Sequence, residues 1–318
     1  MKRTLMGVLL SGALLAMPFA GPDAQAKDLK IMSSLPSLQF PFFVHMQSAI
    51  NAEAERIGGI EIVEADGRNE SPKQVADVEN ALVQGLDGII ISPNDVNALA
   101  SIIADAVKEG VPVVTIDRRV DNVDGLLAHV GADNVAGGEA QGRWVLEAFP
   151  EGATIVNLQG QPGASPAIDR NKGLHNVIDP VSDKYKIIAE QTANWKRAEG
   201  LDVTNAVLSG LSEMPDVIVA ANDEMGLGAL EALRARNLDD QIKIVAFDAG
   251  PEALLSVRDG GLDGTVDQFP GQQSARSVQI MHDFLVGGKR PAEVVNLITP
   301  KMILSDNLDE SERIGEVK

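Results

Sequence analysis

The sequence predicts an α/β protein made of two similar lobes, each a doubly wound parallel sheet, with a cleft between them. Short β-branched runs alternate with longer amphipathic segments, and runs such as Gly88–Ile91 are apolar throughout, as strands buried on both faces are. A loose internal repeat indicates two copies of one unit, since Leu86–Asp95 resembles Met214–Asp223 and Val111–Arg118 resembles Ile242–Ala249. The length of 318 residues also exceeds what one hydrophobic core ordinarily supports.

The N-terminus has the pattern of a secretory signal peptide. Lys2 and Arg3 precede the apolar run Leu5–Ala16, and small residues follow at Ala24 and Ala26. The run is too short to span a bilayer comfortably, and charge resumes at residue 27. No cysteine follows the run, so a lipid-anchored terminus is not available. We therefore expect residues 1–26 to be removed by cleavage after Ala26 and the mature protein to be exported.

The elements follow in chain order from the hydrophobic pattern. The first set of expected strands comprises Leu29–Ser33, Ile60–Ala65, Gly88–Ser92, Val111–Asp117 and Leu127–Val130. The second set comprises Ala153–Gln159, Lys186–Glu190, Val217–Ala220, Ile242–Phe247, Gly264–Gln268 and Val294–Leu304. Apolar residues spaced three and four apart predict helices between the strands, for example at Phe43–Ile57, Ser71–Gln84, Ala98–Glu109 and Asn222–Arg236.

The composition excludes several classes of function. Acidic side chains outnumber basic ones by 46 to 27, a net charge of −19, and a nucleic-acid partner would need a basic face instead. No cysteine occurs, which rules out disulfides, thiolate nucleophiles and cysteine-ligated metals. Hydrophobic residues make up 44% of the chain, so packed cores are expected and global disorder is excluded.

Polar and aromatic side chains are expected around the carboxyl ends of the predicted strands, at the edge where open parallel sheets bind ligands. Two lobes facing each other would place these strand ends around one cleft. The residues concerned are Phe42, Phe43, Ser92, Asp117, Arg118, Asn222, Asp248 and Gln268. Carboxylates, amides and guanidinium groups hydrogen-bond hydroxyls, and aromatic faces pack on C–H groups, so the set fits a neutral polyhydroxylated ligand. We expect no catalytic residues, metal or cofactor, because the set holds no metal-ligand cluster and no nucleophile–base pair.

Short motifs in collinear order over most of the mature chain carry a family resemblance. They are Pro41–Phe43, Val111–Arg118, Ala132–Gly138, Leu158–Gly160 with Arg170, Asn194–Trp195, Ala221–Met225, Val245–Asp248 and Asp267–Gln268. In this order they resemble the periplasmic sugar-binding proteins of the ribose/galactose type, which are the substrate-binding components of bacterial ABC importers. The resemblance implies the fold of a type I periplasmic binding protein, a periplasmic location and a monomer without enzymatic activity.

The resemblance also implies roles for individual residues. Phe42 and Phe43 would enclose the ligand ring together with Trp195, which stands where the family usually has Phe. Asp117 and Arg118 would bind hydroxyls from the first lobe. The remaining polar contacts would come from Ser92, Arg170, Asn222, Asp248 and Gln268. The implied partners are a small carbohydrate or polyol and the membrane subunits of an ABC permease, which would receive the ligand from the closed protein.

The lobes are not halves of the sequence. The family's chain crosses between lobes three times, and the resemblance places those crossings near residues 132–133, 268–269 and 299–300. The first lobe would then comprise residues 27–132 and 269–299, and the second residues 133–268 and 300–318. The crossings would form the hinge about which the lobes close on the ligand.

Two departures from the family pattern leave the ligand open. The family's ribose binders have Asn just before the Pro-Phe-Phe motif and Asn at the end of the third strand, where this chain has Phe40 and Ser92. Each missing amide removes hydrogen bonds worth about 0.5–1.5 kcal/mol. A ribose-like pentose, a hexose and a linear polyol therefore remain candidates. Phe40 is expected in the core, and Asp223 and Glu224 at a helix start outside the site.

Two other functions also stay open. A chemoreceptor or sensor kinase, rather than a permease, could read the closed form. An exported carbohydrate-acting enzyme could use Asp117 and Asp248 as a pair of carboxylates. We expect Arg118 and Arg170 to hold both acids ionised, which favours binding over acid–base chemistry.

Overall fold

The computed structural model describes residues 28–317, which form two layered α/β lobes. The predicted signal peptide, residues 1–26, lies outside the described residues. Within residues 28–317, no helix is both long enough and apolar enough to cross a membrane. The two lobes each contain one sheet with helices on both faces, which confirms the predicted pair of doubly wound α/β lobes.

The first lobe is built on a six-stranded sheet that is parallel throughout. Its strands are β1 (Leu29–Leu35), β2 (Ile60–Asp66), β3 (Gly88–Ile91), β4 (Val113–Ile116), β5 (Ala128–Ala132) and β11 (Val295–Ile298). Their spatial order is β11-β5-β4-β3-β1-β2, and Ile31 on β1 pairs with Ile62 on β2 and with Gly88 on β3. Because the strands are parallel, their carboxyl ends lie along one edge of the sheet.

Two helices cover each face of this sheet. The helices are α1 (Pro41–Ile57), α2 (Ser71–Gln84), α3 (Ala100–Lys108) and α9 (Pro270–Gly287). On one face, Met46 of α1 and Val278 of α9 pack in the same core as Ile90 of β3. On the other face, Val78 of α2 and Ile103 of α3 join a second core. Burial on both faces explains why the strands read as continuous apolar runs.

The second lobe repeats this plan. Its strands are β6 (Ala153–Gln159), β7 (Tyr185–Thr192), β8 (Val217–Ala220), β9 (Lys243–Phe247), β10 (Gly264–Asp267) and β12 (Lys301–Ile303). Its helices are α4 (Asn134–Ala148), α5 (Ser165–Ile178), α6 (Arg197–Gly210), α7 (Asp223–Ala235) and α8 (Pro251–Arg258). The strand order is β12-β10-β9-β8-β6-β7, and β12 alone among these six runs antiparallel to its neighbour.

Helices α4 and α5 pack unusually closely on one face of the second sheet. Trp144 of α4 and Leu174 of α5 belong to the core on that face. The two backbones touch at glycines, because a Cβ atom on Gly138 would lie 2.1 Å from the carbonyl oxygen of Arg170, and one on Gly173 would lie 2.1 Å from the carbonyl oxygen of Val135. This contact fixes the position of α5 and of the Arg170 side chain that it carries.

The segment Val294–Leu304 was expected as one strand, and that expectation is wrong. The chain forms β11, ends it at Ile298, and resumes as β12 at Lys301 in the other sheet. Pro300 lies in the break, and proline has no backbone N–H to donate to a sheet. The hydrophobic pattern alone does not indicate that the segment pairs first with β5 and then with β10.

Candidate ligand-binding site

A cavity of about 810 Å³, counting its open mouth, lies where the carboxyl ends of the two sheets face each other. Nine of the ten predicted site residues line it. They are Phe42, Phe43, Asp117, Arg118, Arg170, Trp195, Asn222, Asp248 and Gln268. Both lobes contribute to this wall, so a ligand held here would contact both.

The aromatic part of the wall comes from α1 and from the end of β7. Phe43 is 4% exposed, and its ring lies edge-to-face with that of Phe42, with centroids 5.2 Å apart. Trp195 is buried and has a left-handed backbone (φ 66°). A Cβ atom on Gly160 would lie 2.0 Å from the indole ring, so only glycine leaves room for this tryptophan. The indole ring of Trp195 fits in this position because Gly160, opposite it, has no side chain.

The end of β4 supplies a carboxylate and a guanidinium from the first lobe. Asp117 has a left-handed backbone (φ 59°), which turns the chain immediately after the strand. Arg118 is 3% exposed, and its Nη1 donates to the carbonyl oxygen of Asn94 at 3.2 Å and to the Asn94 Oδ1 at 3.3 Å. Gln74 accepts the backbone N–H of Asn94 at 2.7 Å. Arg118 is therefore held in place by a buried polar layer behind it.

Arg170 is the most heavily constrained cation of the site. Its Nε donates to Oδ1 of Asn134 at 2.8 Å, and its Nη1 donates to the carbonyl oxygen of Ala221 at 2.6 Å. The same Nη1 lies 3.4 Å from Oδ1 of Asp248. The guanidinium carbon lies 3.6 Å from the centre of the Phe247 ring, a cation–π contact. These contacts fix the direction in which Arg170 presents its remaining N–H groups.

Asp248 and Gln268 form another part of the cavity wall. Asp248 follows β9 with φ 111°, again in the region that side-chain-bearing residues rarely adopt. Gln268 Nε2 donates to Asp248 Oδ1 at 2.7 Å, and the Gln268 carbonyl oxygen accepts from Gln273 Nε2 at 2.8 Å. Positive φ values at strand ends thus recur at Asp117, Trp195 and Asp248. Strain of this kind, about 1–3 kcal/mol per residue, concentrates at functional sites.

Burial of the two acids opposes the ionisation that the nearby arginines were expected to favour. Burial raises the pKa of Asp248 to about 7, although the nearby Arg170 opposes the shift. Burial also raises the pKa of Asp117 against the opposing charges of Arg118 and Arg170. The pKa of Arg118 falls to about 10 because its charge is desolvated too. Desolvation outweighs ion pairing here, since all of these groups lie in the interface between two cores.

Ser92 is the one predicted site residue that is not among those lining the cavity, and its direct contact with a ligand stays a prediction. It is fully buried, and its hydroxyl donates to Asp117 Oδ2 at 3.3 Å. Its carbonyl oxygen accepts from Gln74 at 2.9 Å. The Ser92 hydroxyl thus helps to orient the carboxylate of Asp117, which lines the cavity.

Asn222 lines the cavity but has other partners as well. Its Oδ1 accepts the N–H of Met225 at 3.0 Å, which makes it the N-cap of α7. Its Nδ2 donates to the carbonyl oxygen of Trp195 at 3.2 Å. Asn222 therefore couples the start of α7 to the aromatic wall, and one amide hydrogen is left to face the cavity.

Several wall residues were not anticipated from the sequence. Phe40, expected in the core, lines the cavity and packs against the cores of both lobes. Asp223 and Glu224 lie in the first turn of α7 as expected, yet both also line the cavity. The other additions are Pro41, Pro166, Leu227, Gly250, Pro251, Glu252, Ala253 and Arg313. Most of these lie on α7, α8 or the C-terminal segment, and no sequence pattern marks them as neighbours of the strand ends.

Comparison with known proteins identifies the family. A family model described as a periplasmic binding protein domain matches residues 31–289. The ribose import binding protein of Bacillus subtilis is 36% identical over 293 residues, covering 90% of this chain and 92% of that protein.

Two solved structures show the same likeness. The Caulobacter myo-inositol binding protein bound to myo-inositol is 39% identical, with a TM-score of 0.88, covering 93% of this chain and 100% of that one. An ABC transporter solute binding protein from Bacillus halodurans with bound myo-inositol is 29% identical, with a TM-score of 0.84, covering 90% of this chain and 98% of that one. The resemblance found in the sequence is confirmed: the chain belongs to the periplasmic binding protein family.

Proposed function

We propose that this protein captures a cyclic polyol of the myo-inositol type by closing its two lobes, and delivers it to the membrane subunits of an ABC importer. The observation that carries the proposal is the composition of the cavity wall. Two buried guanidinium groups, Arg118 and Arg170, lie among aromatic rings with the buried carboxylate of Asp117 and with that of Asp248, whose side chain is 13% exposed. This balance of charges suits an uncharged ligand, and alternating donors and acceptors match hydroxyls around a ring.

The choice of a cyclic polyol over ribose has two supports. Two similar proteins of known structure hold myo-inositol, one of them at 39% identity. In addition, Phe40 and Ser92 replace amides that the family's ribose binders carry; the Phe40 side chain has no hydrogen-bonding atom, and the Ser92 hydroxyl already donates to Asp117. A flat ring with hydroxyls on its edge and C–H bonds on its faces suits the aromatic rings of Phe43 and Trp195.

The proposal extends to the division of the chain and to its location. Residues 27–132 with 269–299 would move as one lobe and residues 133–268 with 300–318 as the other. Its support is that sheet membership changes between β5 and β6, between β10 and β11, and between β11 and β12. Cleavage after Ala26 would release the mature protein into the periplasm, where it binds ligand without changing it chemically.

Calorimetric titration of the mature chain tests the ligand assignment. We expect one myo-inositol to bind per chain with a dissociation constant of about 1 µM or lower, typical of an enclosed polar site. Ribose, galactose and a linear hexitol are expected to bind at least tenfold more weakly. A panel in which ribose binds more tightly than myo-inositol would contradict the assignment.

We expect affinity to rise with pH through neutrality. Burial raises the pKa of Asp248 to about 7, so below that pH the carboxyl is mostly protonated and can no longer accept two hydroxyl donors. The affinity measured by calorimetry should be about tenfold lower at pH 6 than at pH 8. The same raised pKa means that the unliganded fold loses stability as pH rises from about 4 to 7, because the native state holds the proton longer than the unfolded chain.

The Asp248→Asn variant provides the control for this pH dependence. It cannot ionise at that position, so its affinity should be lower than that of the unmodified protein at pH 8 and should vary less between pH 6 and 8. A pH-independent affinity in the unmodified protein would show that Asp248 does not accept from the ligand in its ionised form.

We expect contacts across the cleft outside the cavity to favour the closed form. The Arg119 guanidinium pairs with Asp169, and the Arg119 N–H donates to Ser165 Oγ at 3.0 Å. Nearby, the N–H of Val96 donates to the carbonyl oxygen of Gly163 at 3.0 Å. Arg119→Ala should increase the radius of gyration of the unliganded protein in X-ray scattering and weaken ligand binding about fivefold. Asp169→Ala should do the same.

A double-mutant cycle separates the interlobe pair from effects of each residue alone. If Arg119 and Asp169 act through each other, the double variant loses no more affinity than either single variant. Additive losses, or single variants that bind like the unmodified protein, would mean that the pair does not bias closure.

A further inference from the structure

The cavity changes character between its buried end and its mouth. The buried end carries the polar groups already described, with Arg118, Arg170 and Gln268 all at most 4% exposed. An apolar part of the wall reaches solvent at Phe40, Pro41 and Pro251, which are all at least partly exposed. Leu227 and Ala253 also line the cavity, and they are buried in the core cluster against which Phe40 packs. We call these five residues the apolar mouth.

The charged groups beside the apolar mouth are already paired with one another. Arg197 donates to Glu224 at 3.1 Å and to Glu252 at 2.7 Å. Arg313 donates through Nη2 to Glu316 at 2.7 Å. A ligand hydroxyl placed here would compete with existing ion pairs for its hydrogen bonds, whereas an alkyl group would bury apolar surface against the wall.

The apolar mouth is present while the lobes are in contact. The hydrogen bonds from Val96 to Gly163 and from Arg119 to Ser165 join the lobes in the same structure. Phe40 reaches the cores of both lobes from this position. A substituent that fits in this space would therefore be compatible with contact between the lobes.

We propose that the site accepts a polyol ring carrying one small apolar substituent on oxygen, a mono-O-methyl ether, with its methyl group in the apolar mouth. This inference rests on the proposed binding of a cyclic polyol. It extends the ligand class from the free polyol to its ethers and assigns Phe40 and Leu227 as the residues that determine tolerance of the substituent. The ring hydroxyls keep their contacts with the buried polar end.

Calorimetric titration with myo-inositol and its positional mono-O-methyl ethers tests the inference. We expect at least one ether to bind no more than threefold more weakly than myo-inositol, and up to about fourfold more tightly where the methyl group is fully buried. If myo-inositol binds and every ether is more than threefold weaker, the inference fails while the proposed function stands. If neither myo-inositol nor any ether binds, both fail.

Variants of the wall test where the methyl group lies. Leu227→Ala removes apolar surface from the mouth and should raise the ratio of the ether's dissociation constant to that of myo-inositol about fourfold. Leu230→Ala is the matched control, since Leu230 is 3% exposed on the same helix and does not line the cavity. Phe40→Ala provides a second test should Leu227→Ala fold poorly. An unchanged ratio in both mouth variants would overturn the placement.

Discussion

Replacement of Arg170 by alanine is expected to abolish polyol binding and to lower the free energy of unfolding by about 3–5 kcal/mol. Arg170 is 4% exposed and joins Asn134, the carbonyl oxygen of Ala221 and Asp248. Its removal leaves a buried carboxylate without its cationic neighbour and exposes one face of the Phe247 ring. Urea unfolding followed by circular dichroism measures the stability, and calorimetry measures the binding.

Arg143→Ala is the control for this variant. Arg143 lies on α4, its side chain is 54% exposed, and it pairs with Glu139 at 3.3 Å. Exposed pairs of this kind contribute about 0–1 kcal/mol, so stability and affinity should change little. If Arg170→Ala bound myo-inositol within tenfold of the unmodified protein, the assigned role of Arg170 at the ligand would be wrong.

Replacement of Gly138 by alanine is expected to destabilise the second lobe by about 3 kcal/mol and to weaken binding at least tenfold. The added Cβ would lie 2.1 Å from the carbonyl oxygen of Arg170, which belongs to backbone and cannot rotate away. Helix α5 must move, and the Arg170 side chain must move with it. One methyl group on α4 therefore connects helix packing to the ligand site.

Gly210→Ala is the control for this variant, and we expect it not to destabilise the protein. Gly210 ends α6, and a Cβ atom there would have no neighbour within 4 Å, so alanine should be neutral or stabilise the protein by up to about 1 kcal/mol. Thermal unfolding of both variants, followed by calorimetry, distinguishes them. Equal stability in the two variants would show that α4 and α5 tolerate separation at Gly138.

Much of the fold was predictable because the strands are buried on both faces. Runs such as Gly88–Ile91 and Val217–Ala220 are apolar throughout, and the structure forms β3 and β8 there. The Val294–Leu304 segment was not predictable in the same way. Its apolar residues are compatible with one strand, and only pairing with β5 and β10 divides it between sheets. Pairing partners distant in sequence leave no trace in local periodicity.

The site residues that follow strand ends could be predicted from the sequence. Which other side chains line the cavity could not. Asp117 and Asp248 directly follow β4 and β9, so the position of the sheet edge places them at the cavity. Ser92 also follows a strand, but it does not line the cavity and its hydroxyl donates to Asp117. Phe40 and Leu227 reach the cavity through the packing of α1 and α7, which sequence spacing does not reveal.

The pKa values of the charged site residues could not be predicted from the sequence either. The sequence places Arg118 next to Asp117, and proximity of opposite charges suggests an ionised acid. The structure buries both, and desolvation raises the pKa of Asp117 and lowers that of Arg118 to about 10. Burial between two lobes is a tertiary property, so its effect on the pKa values cannot be inferred from neighbouring residues alone.

Equilibrium dialysis of the mature chain against radiolabelled myo-inositol, followed by chemical recovery of the bound label, tests the central claim most directly. The claim is that the protein binds a cyclic polyol reversibly between its lobes and leaves it unaltered. Saturable retention of one label per chain at micromolar concentration, with the label recovered as unchanged myo-inositol, is the predicted result. Absence of saturable retention up to about 1 mM, or recovery of the label as another compound, would contradict the claim.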